Sequence, residues 1–175
     1  MIPNILTTVR LFLVPIFAYL LLKAQNLPAA AVVLILSGAT DVVDGYIARK
    51  FHMVSDFGKV YDPFVDKLMQ ITAVICLALA GIIPFGVILI VILKELTMIV
   101  IGGILYLKKI VVHSHWYGKA TTVIFYTIIF ILIIWQNISH AWVVGLLLVL
   151  VGTMLASAVA YLVDIIKNFE EKRVQ

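Results

Sequence analysis

Of the nine Asp and Glu residues in the chain, five lie between Asp41 and Asp66. Asp41 and Asp44 are three residues apart and Asp62 and Asp66 four apart. Either spacing puts a pair on one face of a helix. Four carboxylates from two helices offer only hard oxygen donors, which suit Mg²⁺, Mn²⁺ or Ca²⁺; the thiolate or histidine set that zinc takes is missing. Two cations can share four carboxylates, an arrangement suited to phosphoryl transfer. Gly45 follows Asp44, and Ala48 lies three residues further along the same face. Small residues there leave bare helix surface against which a diphosphate or a nucleotide can lie. Arg49 adds a positive charge. Plainer readings stay open: a proton relay, interfacial carboxylates answered by Lys50 or Lys59, or the ion path of a small cation carrier. A carrier would ordinarily show a repeat or broken-helix pattern, and none is visible.

Composition says what must hold these residues. Hydrophobic residues make up 64% of the 175 and charged residues 13%, with a mean hydropathy of +1.17. Soluble domains run near about 45–50% apolar and about 25% charged. The sequence therefore predicts an all-α integral membrane protein, with residues 1–175 as one domain of six transmembrane helices. The expected spans are roughly 6–22, Ala29 to the charged segment beginning at Asp41, 63–81, 85–107, 118–135 and 141–163. Lys23–Pro28, Gly81–Pro84 and Gln136–His140 supply the breaks. Barrel strands would be shorter and would alternate in polarity. Cys76 is the single cysteine, which excludes an intrachain disulfide and a cysteine metal site. No cleavable leader is evident, and the tail Lys167–Gln175 reads as a solvated helix end.

Six spans place both termini on one side, together with Arg10, Arg49, Lys50, Lys59, Lys67, Lys108, Lys109, Lys119, Lys167, Lys172 and Arg173. Lys23 falls on the other side, and Lys94 lies within the fourth span. The positive-inside rule makes the basic side cytoplasmic, giving a multi-pass protein of the cell membrane. The net charge of +4 then belongs to loops facing anionic lipid rather than to nucleic-acid binding. His113 and His115 read as solvated loop residues, and Trp116 and Tyr117 as an aromatic belt. Asp41 is about a dozen residues from the outer end of its helix, well below the cytoplasmic surface at ~1.5 Å per residue. Lys94-Glu95 lies at similar depth. Such charges cost several kcal/mol unless paired, hydrated or cation-bound. A polar cavity open to the cytoplasm accommodates them.

The pattern Asp41-x2-Asp44-Gly45-x2-Ala48-Arg49-x8-Gly58-x3-Asp62-x3-Asp66 resembles, at every specified position, the signature of the CDP-alcohol phosphatidyltransferase family. The six-span layout is similar as well. The resemblance implies two divalent cations, Mg²⁺ or Mn²⁺, held by Asp41, Asp44, Asp62 and Asp66. Asp66 is implied as both a ligand and the general base. It further implies a CDP-diacylglycerol surface that includes Gly45, Ala48, Arg49 and Gly58, the release of CMP, an active site facing the cytoplasm among membrane lipids, and a homodimer.

The N-terminal Ile2-Pro3-Asn4-Ile5-Leu6-Thr7-x2-Arg10, with Pro15 after it, resembles the start of the family's glycerophosphate and cardiolipin branches. Asn4 and Thr7 join the nucleotide-lipid surface on that resemblance. The alternative is an interfacial helix start with a snorkelling arginine. Gly118-Lys119-x2-Thr122 also resembles those branches, and a lysine at a helix N-terminus suits an anion. Lys94 and Lys119 are the expected contacts for an acceptor phosphate. Lys94-Glu95 replaces the Arg-Glu of the glycerophosphate branch, and a buried structural pair is its other reading. Glycerol 3-phosphate is the expected acceptor, with phosphatidylglycerol, giving cardiolipin, as the alternative.

Overall fold

The computed structural model describes residues 2–50, 58–107, 116–135 and 137–174, and these are helical apart from short turns. The helices are α1 (Ile2–Leu22), α2 (Leu27–Lys50), α3 (Gly58–Leu79), α4 (Phe85–Leu107), α5 (Trp116–Ile134) and α6 (His140–Val174). Each expected span has its helix, and several helices outrun the apolar stretch that announced them. α1 starts at Ile2, α2 continues through the aspartates to Lys50, and α6 carries the charged tail to Val174. No proline or glycine pair interrupts 41–50, so the helix has no reason to stop where the lipid-like composition does. His113 and His115 lie outside the described residues.

Three tight turns gather at one end of the bundle. α1 closes with the Lys23 and Ala24 amides both donating to the Tyr19 carbonyl, at 2.9 and 3.0 Å. Gln25 then takes a left-handed conformation (φ 50°) to reverse the chain. Asn26 caps α2, its Oδ1 accepting from the Ala29 amide at 3.1 Å. Past the end of α3, Gly81 (φ 75°) turns the chain, with the Ile82 amide donating to the Leu77 carbonyl at 2.9 Å, and Pro84 immediately precedes α4. Ser139 begins α6, its carbonyl accepting from the Trp142 amide at 3.0 Å.

The packing closes on itself. α1 lies against α2 and α3, α2 against α5, α5 against α6, α6 against α4 and α4 against α3, while α3 also touches α5. Phe17, Leu34, Met69, Leu77, Phe125, Ile129 and Leu150 fill the core. α2 and α3, the helices bearing the aspartates, are not among the closely packed pairs of the described residues. They are held to each other through α1 and α5.

The distribution of polarity is inverted relative to a soluble bundle. Phe12 (66% exposed), Trp142 (68%) and Leu148 (68%) face outward, whereas Arg10 and Glu95 are wholly enclosed. Among the described residues, His140–Val163 is long and apolar enough to cross a bilayer by itself; Thr7–Leu22, Leu27–Thr40 and Gly118–Ile134 are shorter apolar runs.

Candidate active site

α2 carries Asp41, Asp44, Gly45, Ala48 and Arg49 in its last three turns, and α3 carries Gly58, Asp62 and Asp66 in its first three. Both pairs therefore sit on regular helix, as their spacing predicts. The side chains of Asn4, Asp41, Asp44, Gly45, Ala48, Arg49, Gly58 and Asp62 lie outside the described residues.

Asp66 lies among the described residues. Its carboxylate is half-buried and accepts on both oxygens: Gln70 Nε2 donates to Oδ2 at 2.9 Å, and the Tyr126 hydroxyl donates to Oδ1 at 3.1 Å. Gln70 is one turn along α3, so that bond selects a side-chain orientation within one helix. Tyr126 comes from α5. Its ring lies against α2, where a Cβ placed on Gly38 would stand 3.7 Å from Cδ1. The Ser37 hydroxyl and the Arg10 guanidinium face the phenol from α2 and α1. Groups from α1, α2 and α3 thus gather round this one phenol of α5.

A second charged group lies beside it. Glu95 on α4 is fully buried and bridges two lysines, Lys67 Nζ to Oε2 at 2.8 Å and Lys94 Nζ to Oε1 at 2.7 Å. Lys94 and Glu95 are sequence neighbours whose backbones face different ways, yet the four-carbon lysine stem folds back far enough to close the pair. Lys67 directly follows Asp66 on α3. The trio keeps a net positive charge next to the carboxylate. Lys119, in contrast, is exposed on the first turn of α5.

Thr7 and Arg10 are both fully enclosed. The buried Arg10 excludes the snorkelling arrangement, because the guanidinium turns into the bundle instead of out to an interface. Tyr126 and Lys67 carry no local signal in the sequence. Tyr126 is 60 positions from Asp66 in an otherwise apolar run. The i, i+4 step from Asp66 to Gln70 was the one legible clue.

The donor chemistry suits divalent cations. Four carboxylates are distributed over two helix ends, the Asp66 carboxylate is half-buried, and the single cysteine lies buried in the bundle. Among the described residues, which do not include the side chains of Asp41, Asp44 and Asp62, no three metal-binding side chains come together.

A helical bundle with large apolar side chains outward and paired aspartates on two successive helix ends suits a lipid-modifying membrane enzyme. Residues 1–161 match the CDP-alcohol phosphatidyltransferase family, and the chain belongs to that family of membrane-associated lipid synthases. It is 32% identical over 134 residues to a CDP-diacylglycerol–glycerol-3-phosphate 3-phosphatidyltransferase of Bacillus subtilis, covering 69% of each chain. It is 36% identical over 109 residues to a CMP-forming cardiolipin synthase of Streptomyces coelicolor (59% of this chain, 51% of the relative). A CDP-diacylglycerol–glycerol-3-phosphate 3-phosphatidyltransferase of Mycoplasma genitalium is 37% identical over 84 residues (48% and 36%). The chain spans about half the length of several of the curated relatives it matches.

Proposed function

We propose that the chain transfers the phosphatidyl group of a CDP-diacylglycerol to glycerol 3-phosphate, releasing CMP and forming phosphatidylglycerophosphate. The observation that carries this reading is the eight-residue aspartate signature across the end of α2 and the start of α3, with Asp66 held half-buried among polar partners. The names of the Bacillus and Mycoplasma relatives support the acceptor.

In this reading the acceptor hydroxyl forms a new bond to the phosphorus that bears diacylglycerol. The bond from that phosphorus to the CMP oxygen breaks, and CMP leaves with the electron pair. Asp66 takes the hydroxyl proton; its fixed orientation keeps one lone pair toward the acceptor. Asp41, Asp44, Asp62 and Asp66 would hold two divalent cations, Mg²⁺ or Mn²⁺, which when bound supply charge neutralisation at the diphosphate. Gly45, Ala48 and Gly58 leave room for the nucleotide, and Arg49, Asn4 and Thr7 are its polar contacts. Lys94 and Lys119 draw the acceptor phosphate, Lys94 with part of its charge already answered by Glu95.

The inverted polarity supports six membrane crossings. Large apolar side chains are directed outward and the charges are collected inside, as lipid requires. Both termini and the aspartate end then share the cytoplasmic side, as the distribution of Lys and Arg indicates. A second reading, transfer to phosphatidylglycerol giving cardiolipin, is favoured by the Streptomyces relative. A CMP-release assay on purified protein with an acceptor panel decides between them. Turnover with glycerol 3-phosphate and none with free glycerol or phosphatidylglycerol is expected. Turnover with phosphatidylglycerol alone moves the assignment to cardiolipin synthesis, and no CMP with any acceptor refutes both.

A further inference from the structure

We propose that Tyr126 is a positioning residue, a strut that joins the two aspartate-bearing helices and fixes the direction of the Asp66 carboxylate. What Asp66 does chemically rests on the transferase reading above; the strut itself rests on contacts alone.

α2 and α3 each carry one aspartate pair, and a site assembled from both needs them in register to within a fraction of an ångström. A misplacement of about 1 Å can cost ~10²-fold in rate. Yet these two helices are not among the closely packed pairs of the described residues. Tyr126 reaches both. Its ring meets α2 at Gly38, three residues before Asp41, with 3.7 Å between Cδ1 and a Cβ built there. Its hydroxyl meets α3 at Asp66, 3.1 Å from Oδ1. One side chain from a third helix therefore touches each member of the pair within a turn of the aspartates.

The two described donors to Asp66 have different reach. Gln70 lies on α3 itself, so its 2.9 Å bond travels with Asp66 whenever α3 moves. Tyr126 does not travel with it, and only a bond of that kind can report the place of α2 and α5 to the carboxylate. At Gly38 even a Cβ would meet the ring at ordinary van der Waals distance, so the ring packs directly on the surface of α2. Ser37 and Arg10 lie near the same phenol.

A bland alternative is that the phenol merely satisfies itself on the nearest acceptor, in which case neither helix register nor turnover depends on it. Tyr126→Phe separates the two, since it keeps the ring against Gly38 and removes only the hydroxyl. Register is read by pulsed electron resonance between spin labels at Val43 on α2 and Phe64 on α3, both exposed, in a Cys76→Ala background. The expected result is a broadened or shifted distance distribution for Tyr126→Phe. Thr127→Val, which removes an exposed hydroxyl bonded to its own helix, should leave the distribution unchanged.

Kinetics supply the second reading. Tyr126→Phe should lower kcat by roughly 10-fold, with KM for the nucleotide lipid and for the acceptor each within about threefold of wild type. Combined with Asp66→Asn, it should cost no more than about a further twofold, because it acts through that carboxylate. Superimposable distance distributions, or an equal rate loss in both backgrounds, would overturn the proposal. A wild type that releases no CMP removes the transferase reading, and the distance measurement still decides the strut.

Discussion

Glu95→Gln removes one charge from a place where three meet. The carboxylate is fully buried, with ammonium groups at 2.8 and 2.7 Å whose side chains are 24% and 10% exposed. Deleting one member of a buried ion pair costs about 3–5 kcal/mol, mainly because the remaining charge is stranded. Lys67 has enough exposure to turn toward water, so only Lys94 is truly stranded and the low end of that range, about 3 kcal/mol, applies. At about 2–4 °C per kcal/mol for a chain of this size, the melting temperature in detergent should fall by roughly 6–12 °C. Replacing all three groups by apolar residues of similar volume (Lys67→Met, Lys94→Met, Glu95→Leu) should restore the melting point to within a few degrees of wild type, since no charge is then left behind. A Glu95→Gln shift below about 2 °C would falsify the reasoning, as would a triple variant that melts as low as the single one. If Lys94 serves the acceptor phosphate, the restored triple variant stays inactive at moderate glycerol 3-phosphate, which separates the stabilising role from the functional one.

Asp41→Asn or Asp62→Asn should abolish CMP release while leaving far-ultraviolet circular dichroism unchanged; near-normal turnover of both at saturating Mg²⁺ would refute the two-cation reading. Asp66→Asn should lose roughly 10²–10⁴-fold in turnover yet retain cation-dependent binding of CDP-diacylglycerol by calorimetry. If it loses binding as fully as Asp41→Asn does, Asp66 is a ligand and not the base. EDTA should silence the enzyme reversibly, with Mg²⁺ or Mn²⁺ restoring CMP release. At the turns, Gly81→Ala should destabilise by about 1 kcal/mol and Gln25→Gly should stabilise by a similar amount, because both positions hold left-handed backbone; melting curves with opposite signs are the check.

The helices were legible because their ends are chemically marked. Lys23–Pro28 and Gly81–Pro84 interrupt apolar runs with residues that terminate and restart helices, and both became turns. Helix extent was less legible: a hydropathy pattern stops at the first charges, whereas backbone hydrogen bonding in α2 and α6 does not. The aspartates announced themselves by spacing, a local property. Their surroundings did not, because the bond from Tyr126 to Asp66 joins positions 60 apart. Charge counting treated Lys67 and Arg10 as loop-side basic residues, but Lys67 turns in to Glu95 and Arg10 is enclosed. Sequence says that a residue is basic and near a helix end; packing decides which way its long side chain goes.

The pairing of neighbours Lys94 and Glu95 bears on how the chain reaches its membrane as well as on how it holds together once there. A nascent helix that carries a lone lysine or a lone acid into the bilayer centre meets a penalty of about 2.5–3.5 kcal/mol before any partner helix exists. If α4 crosses the bilayer as proposed, it brings its own counter-ion, bonded at 2.7 Å within the same segment, and can leave the translocation machinery as a nearly neutral cylinder. α3, made earlier, holds Lys67 until Glu95 arrives. Moving Glu95 one position along α4, to 96, would keep the composition but place the opposite charges on different sides of the helix, about 200° apart, and the first casualty would be insertion of the nascent chain, ahead of any loss in the finished fold.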